Sequence, residues 1–384
     1  MTPQPEDGPG HQIPLDKAPP VAVPPGPSLA PLQRLAADEL TAFCVAVLRA
    51  AGADAPSAEA ATRAMMHGSR LGVDSHGVRL LDHYAAVIAG GRVNGCPVMR
   101  PLSTAGAVAT LDADNGHGAL AAYTAMDLAM DYAERSGIGA VAIRNSSHFG
   151  PAGAFALAAA ERGFVGLAFC NSDSFVRLHD GAERIHGTNP IAAAAPVAGG
   201  SPWLLDMATS AVPYNRVLLY RSLGRPLPQG VASDADGHDT ANADLAEMLA
   251  PVGGAFGFKG AALGGLVELF SAMLSGARLS FDIPPMGGDD LATPRNVGAF
   301  VLALRPSAFL PEAAFAAAMG RYLDTLRASR PVAGGAVMAP GDREWAEAAR
   351  RVRDGIPIDP TTAAAFDRLA HHYGLVRPAP LRGA

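Results

Sequence analysis

Two short apolar runs, residues 139–143 and 164–170, enclose an alanine-rich segment at 152–162, and each run ends in a polar cluster. Short apolar runs bounded by polar residues read as buried strands, and the segment between them reads as a helix. A helical crossover of this kind joins parallel strands. The clusters Asn145-Ser146-Ser147-His148-Phe149-Gly150 and Asn171-Ser172-Asp173-Ser174 then fall at one edge of a sheet. Strand-end loops on a rigid scaffold are a favourable place for a functional site.

Around this passage the spacing predicts further strands at 105–111, 203–207 and 300–304. Helices are expected over 32–51, over 57–71 with Ser57 as N-cap, and over 80–88 ending at Gly90-Gly91. Another spans 119–135, where Leu120, Tyr123, Met126 and Met130 share one face and Gly137 closes the helix. The last eighty or so residues return to helix at 311–328, 342–353 and 360–372, the last with Asp359 as cap. Helices at both ends of a mixed middle indicate an α+β protein. Residues 29–97 with 305–384 are expected to form a helical domain, and 98–304 an α/β domain. Residues 1–28 carry nine prolines and read as a disordered leader.

Composition narrows the function. Hydrophobic residues make up 49% of the 384 and charged residues 17%, which suits a large buried core. The net charge is −6 and no basic run exceeds two residues, so nucleic acid is not an expected partner. No segment reads as membrane-spanning and no signal peptide opens the chain. Cys44, Cys96 and Cys170 are far apart and unpaired in any CxxC, which points away from a zinc site and towards a reducing cytoplasm. No metal is expected. Of 30 basic residues only Lys17 and Lys259 are lysine. Lys259 stands in a glycine cluster, 253–260, opening an apolar helix predicted over 261–275, where an ammonium and free amides can hold an anion. Gly260 follows it, so the loop is no Walker A motif.

Two histidines stand out. Asp74-Ser75-His76-Gly77 is a turn in which an imidazole can reach a cleft, and His148 lies at the first strand end. Gly187-Thr188-Asn189-Pro190 and Asp206-Met207-Ala208-Thr209-Ser210 offer small polar residues for close ligand approach. Gly116-His117-Gly118-Ala119-Leu120-Ala121 imitates a dinucleotide fingerprint, but the next strand ends Ile143-Arg144-Asn145, without the acidic ribose partner. His371-His372 reads as helix surface.

Seven motifs in order resemble one family: Asp-Ser-His-Gly-Val (74–78), Ser-His-Phe-Gly (147–150), Gly-Thr-Asn-Pro-Ile (187–191), Asp-Met-Ala-Thr-Ser (206–210), Phe-Lys-Gly (258–260), Pro-Arg-Asn-Val-Gly (294–298) and Pro-Gly-Asp (340–342). The chain is similar to the type 2 malate/L-lactate dehydrogenases over about residues 30–375. The resemblance implies an NAD(P)-dependent oxidoreductase on a non-Rossmann fold, a mixed sheet flanked by helices, and a homodimer. It implies hydride transfer between NAD or NADP and C2 of a small 2-oxo or 2-hydroxy acid, the alternatives being reduction of a cyclic imine carboxylate or silent metabolite binding. His76 and His148 are the implied proton-transfer groups, with Ser75 beside the first. Ser172, Thr188 and Arg295 match substrate contacts, the arginine holding a carboxylate bidentately. Asp206, Met207, Ala208, Lys259, Gly260, Gly341, Asp342 and Arg343 match cofactor contacts. The chain departs from the pattern at Leu80, where an arginine is common, before Gly187, and at 213–216, which puts the substrate rather than the family in question.

Overall fold

A computed structural model describes residues 33–222 and 224–381; the proline-rich segment 1–28 lies outside the described residues. The helices are α1 (Ala37–Ala50), α2 (Ala55–Leu71), α3 (Leu81–Ala89), α4 (Gly118–Ser136) and α5 (Gly153–Ala160), then α6 (Tyr214–Ser222), α7 (Gly257–Glu268), α8 (Glu312–Arg327), α9 (Asp342–Asp354) and α10 (Pro360–Tyr373). Strands β1 (Gln33–Leu35), β2 (Arg100–Ala105), β3 (Val108–Asp112), β4 (Ile138–Ser146) and β5 (Val165–Cys170) precede β6 (Val176–Arg177), β7 (Arg184–His186), β8 (Ile191–Ala195) and β9 (Trp203–Met207). The remaining strands are β10 (Ala232–Ser233), β11 (Met248–Leu249), β12 (Val297–Leu304) and β13 (Ile356–Ile358).

A mixed seven-stranded sheet in the order β2-β3-β4-β12-β5-β8-β9 forms the centre. β12 runs antiparallel to both β4 and β5, with Ala299 opposite Ile143 on one side and Cys170 on the other. β4 and β5 are therefore parallel, as the crossover helix α5 requires, but they are not neighbours. At about 4.8 Å per strand, their ends stand roughly 10 Å apart, separated by the start of β12. That arrangement puts three chain segments at one sheet edge: 145–148, 171–173 and 295–296.

Helices α4 and α5 cover one face of this sheet, and Tyr123, Met126 and Met130 of α4 are buried there as their spacing predicts. Phe270 and Val267 pack on the opposite face against Ala140, Phe169 and Phe300. Helices α1, α2, α3 and α10 share a separate apolar core with the β1–β13 pair. A four-stranded sheet, β10-β11-β6-β7, carries a small third core that includes Val217 of α6.

Several local expectations are corrected. The N-cap of α2 is Asp54, whose carboxylate accepts the Ser57 amide at 2.8 Å; Ser57 itself is buried in the first turn. The strand expected at 105–111 is a β2–β3 hairpin turning at Gly106. The helix expected over 261–275 begins at Gly257 and passes into a π-helical turn at Leu269–Met273. β8 escapes sequence reading because Ile191 is followed by four alanines, residues with little strand propensity. Asp359 caps α10 as expected, accepting the Thr361 and Thr362 amides.

Candidate active site

The His76 turn is a single 3-10 turn, Asp74–His76, after the left-handed Gly72 that ends α2. The Ser75 hydroxyl lies 2.9 Å from His76 Nδ1 and fixes the ring. Behind the turn, the Ser69 hydroxyl of α2 accepts the Val78 amide at 2.9 Å. His148 follows β4, and its ring stacks on that of His76 with centroids 5.7 Å apart and planes 27° from parallel. The two implied proton-transfer groups, 72 positions apart in the chain, thus stand side by side. Burial lowers the proton affinity of both rings, and for His148 the proximity of His76 and Arg295 lowers it further.

Sequence reading missed the residue that holds His148. The Tyr84 hydroxyl of α3 is 2.8 Å from His148 Nδ1. Burial pushes the phenol pKa up, so it keeps its proton and can donate to Nδ1, which leaves the neutral ring's proton on Nε2. A buried tyrosine on the inner face of a helix must find a partner for its hydroxyl, and that was the available signal. His117 stands edge-on to Tyr84, ring centroids 4.3 Å apart, and its Nδ1 accepts the Ala119 amide at 3.1 Å to cap α4. Burial takes its pKa down to about 3. His117 also disposes of the dinucleotide-like motif. The amide of Gly118 is already bonded to the Ser147 hydroxyl at 3.0 Å, and a Cβ there would sit 2.2 Å from the Ser147 carbonyl oxygen. The helix end is packed against 147–148 and closed to a phosphate.

Arg295, buried just before β12, pairs with Asp173 and donates from Nε to the Pro284 carbonyl at 2.8 Å. Asp173 Oδ2 in turn accepts the Met286 amide. The expected two-point hold on a substrate carboxylate is thereby narrowed to Nη1, the one guanidinium nitrogen without a hydrogen-bond partner among the described residues. Leu80 joins the helical core, while Arg79 reaches Asp359 at 3.5 Å, so the His76 turn adds no free guanidinium. His83, another group missed in the sequence, is brought down to about 4 by burial, with Arg295 and Arg92 adding to the effect.

Ser172 and Thr188 are brought together, the Thr188 amide donating to the Ser172 hydroxyl at 3.2 Å. Asn189 Oδ1 accepts the Ser172 amide at 3.2 Å, and its Nδ2 donates to buried Glu268 at 2.8 Å. Glu268 also accepts the Asn171 side-chain amide and both the amide and hydroxyl of Ser280. One carboxylate at the end of α7 therefore ties the 171–174 loop to the 187–190 loop and to Ser280.

A cleft of about 320 Å³ opens between α2, β9 and the start of α9, within the usual range of small-molecule sites. Asp206, Gly341 and Arg343 line it, together with His67, Leu204 and Glu344. Asp206 accepts the Gly153 amide at 2.9 Å, and burial raises its pKa to about 6. A carboxylate that accepts hydrogen bonds and a guanidinium at the mouth match the ribose hydroxyls and phosphates of a dinucleotide. Asp342 holds the loop instead, bonding the Ala339 amide and Arg327. Lys259 and Gly260 lie outside this cleft: the lysine ammonium stands 5.3 Å from the Phe256 ring, and Gly260 gives room to the Val252 backbone. One cluster of metal-ligating types occurs among the described residues, Asp234, Asp236 and His238, on an exposed turn whose amides already occupy Asp234.

With this geometry established, the relatives are informative. A sequence model of the malate/L-lactate dehydrogenase family matches residues 35–367. A malate dehydrogenase of Pyrococcus abyssi is 34% identical over 89% of this chain and 95% of its own length. An NADP(+)-dependent (2R)-3-sulfolactate dehydrogenase of Chromohalobacter salexigens is 35% identical over 71% of this chain and 80% of its own. Among solved structures, delta1-piperideine-2-carboxylate reductase from Pseudomonas syringae superposes with a TM-score of 0.76 at 30% identity, covering 88% of this chain and 99% of that one. The motifs, the sheet and the histidine pair have one common explanation: this chain belongs to the malate/L-lactate dehydrogenase family.

Proposed function

We propose that the chain interconverts a small 2-oxo acid and its 2-hydroxy acid with NAD or NADP, and that the His76–His148 pair moves the proton. The observation that carries this reading is the stacking of two imidazoles at 5.7 Å, with Arg295 close enough to depress His148. The nicotinamide, when bound, supplies or accepts the hydride at C2. The chain's own residues do the rest. Arg295 Nη1 receives the carboxylate, Ser75 and Tyr84 hold the two rings from their Nδ1 atoms, and the Ser172–Thr188 pair offers polar contacts beside them. At rest both imidazoles are held below their ordinary proton affinity, ready to take the hydroxyl proton of a 2-hydroxy acid. In the reducing direction the bound carboxylate adds negative charge and favours the imidazolium that donates to the forming alkoxide.

Asp206, Met207, Ala208, Gly341, Asp342 and Arg343 form the proposed cofactor side, with the cleft at its centre. Lys259 and Gly260 join only through a cofactor group that reaches past the cleft to the first turn of α7. Reduction of a cyclic imine carboxylate is the second reading, favoured by the likeness to a piperideine-2-carboxylate reductase. We also propose a homodimer, supported by an exposed apolar stripe along α7, and a reducing cytoplasm, supported by three free thiols. No helix among the described residues is long and apolar enough to cross a membrane.

The test is oxidation of NADH and NADPH by the purified protein against pyruvate, oxaloacetate, 2-oxoglutarate, longer 2-oxo acids and the cyclic imine. Turnover on an oxo acid is expected. In that reaction His76→Gln and His148→Gln should each lose roughly 10²–10⁴-fold in kcat. Near-parental rates in both variants would remove the histidines from the chemistry. Turnover confined to the imine would replace the first reading with the second, and cofactor binding without turnover would indicate a silent metabolite-binding protein.

A further inference from the structure

Asp74 opens the His76 turn, yet nothing in the proton transfer uses its carboxylate. It is spent on Arg351, from the far end of α9. Arg351 is buried, with a side chain 5% exposed, and all three of its guanidinium nitrogens are engaged. Nη1 and Nη2 grip the two oxygens of Asp74 side by side, the second at 2.8 Å. Nη1 also donates to the Ser69 carbonyl at 2.6 Å, and Nε donates to Glu347 one turn earlier on α9. The Asp74 side chain itself is 54% exposed, so burial of its own does not hold it. Water can compete for a half-exposed carboxylate, whereas a planar fork fixed from behind by Glu347 and Ser69 holds it in one orientation.

The two ends of α9 face different parts of the site. Its first turn supplies Arg343 and Glu344 to the cleft, and Arg351 lies eight residues on, about 12 Å along the helix axis. Val73, immediately before Asp74, lines the same cleft.

We infer that Arg351 is a positioning residue: through Asp74 it sets the His76 imidazole from the helix whose first turn lines the cofactor cleft. The turn has only three residues, so a displaced Asp74 displaces Ser75 and His76 with it. The inference rests on the reading of His76 as a proton-transfer group.

Asp74→Asn and Arg351→Lys test it, with NADH and the best 2-oxo acid of the panel. Each variant should lose about tenfold or more in kcat, the scale on which small misplacements act. NADH affinity, read from nicotinamide fluorescence, should stay within about twofold of parental, because neither residue touches the cleft. The double variant should be no slower than the slower single one, since both remove the same link. The ring resonance of His76 in histidine-labelled protein should shift in Arg351→Lys, a readout independent of turnover. Parental kcat in both folded variants overturns the inference, as do an unmoved His76 resonance, single losses that multiply, or a loss confined to NADH affinity. Where Arg351→Lys does not fold, Asp74→Asn decides on the same criteria. His76→Gln run in parallel separates the two ideas. Its retaining full rate removes the histidine reading, whereas an inactive His76→Gln beside an intact Asp74→Asn removes only Arg351.

Discussion

An imidazole taken out of water gives up its proton more readily, because the charged form loses more solvation than the neutral one. Four rings around the histidine pair meet this condition, His76 and His148 themselves, His117 at about 3 and His83 at about 4, and His67 in the cleft meets it too. Oxidation of a 2-hydroxy acid needs the neutral ring, and a lowered pKa keeps that ring neutral down to below 6.5. We therefore expect kcat/KM for oxidation to be flat above about pH 6.5 and to fall only below it. Reduction needs the imidazolium and should decline with rising pH from the same acidic range. Rates in both directions between pH 5 and 8 check this; an acid limb for oxidation above the ordinary histidine value would sink it. At this scale the sequence singled out His76 in a glycine-flanked turn and His148 at a strand end, whereas Arg295 came from the family resemblance. Sequence reading missed Tyr84, and it placed His117 and Asp173 within motifs without their roles, which come only from what they touch.

The elements were legible to different degrees. Helices α4, α8, α9 and α10 were readable from spacing and caps, since these signals are local. The parallel relation of β4 and β5 was readable from the helix between them. That β12 would lie between the two was not, because no local signal ties residues 297–304 to strands more than a hundred positions earlier. The fit of β12 is tight where it enters the sheet. A Cβ on Gly298 would come within 2.0 Å of the Ser271 carbonyl oxygen in the π-helical turn. Gly298→Ala should therefore destabilise the fold by about 1–3 kcal/mol, as overpacking does. Denaturant unfolding measures it, and a midpoint equal to the parental one would show that the turn yields freely.

On the whole molecule, one row of exposed apolar side chains follows α7: Leu263, Leu266, Leu269 and Met273, continuing to Leu274, with Phe256 and Phe258 at its start. Large contiguous apolar patches on soluble proteins mark interaction sites. The proposed homodimer buries this stripe, with α8 as a second surface, since Leu323 is its one buried residue. Sedimentation should give twice the chain mass, and Leu266→Glu with Met273→Glu should give monomers. A parental monomer would refute the dimer; an unchanged dimer in the variant would move the interface elsewhere.

By itself the sequence determined that the chain is α+β and that two strand-end loops share a sheet edge, and it singled out the histidines to which we assign the proton transfer. Periodicity, caps and polar strand ends are set by neighbouring residues, so they can be read one segment at a time. Only the tertiary structure decided that His76 stacks on His148, that Asp173 already occupies Arg295, and that Lys259 stands outside the Asp206 cleft. Each depends on the close approach of segments distant in the chain, which is determined by packing of the whole core rather than by any local pattern.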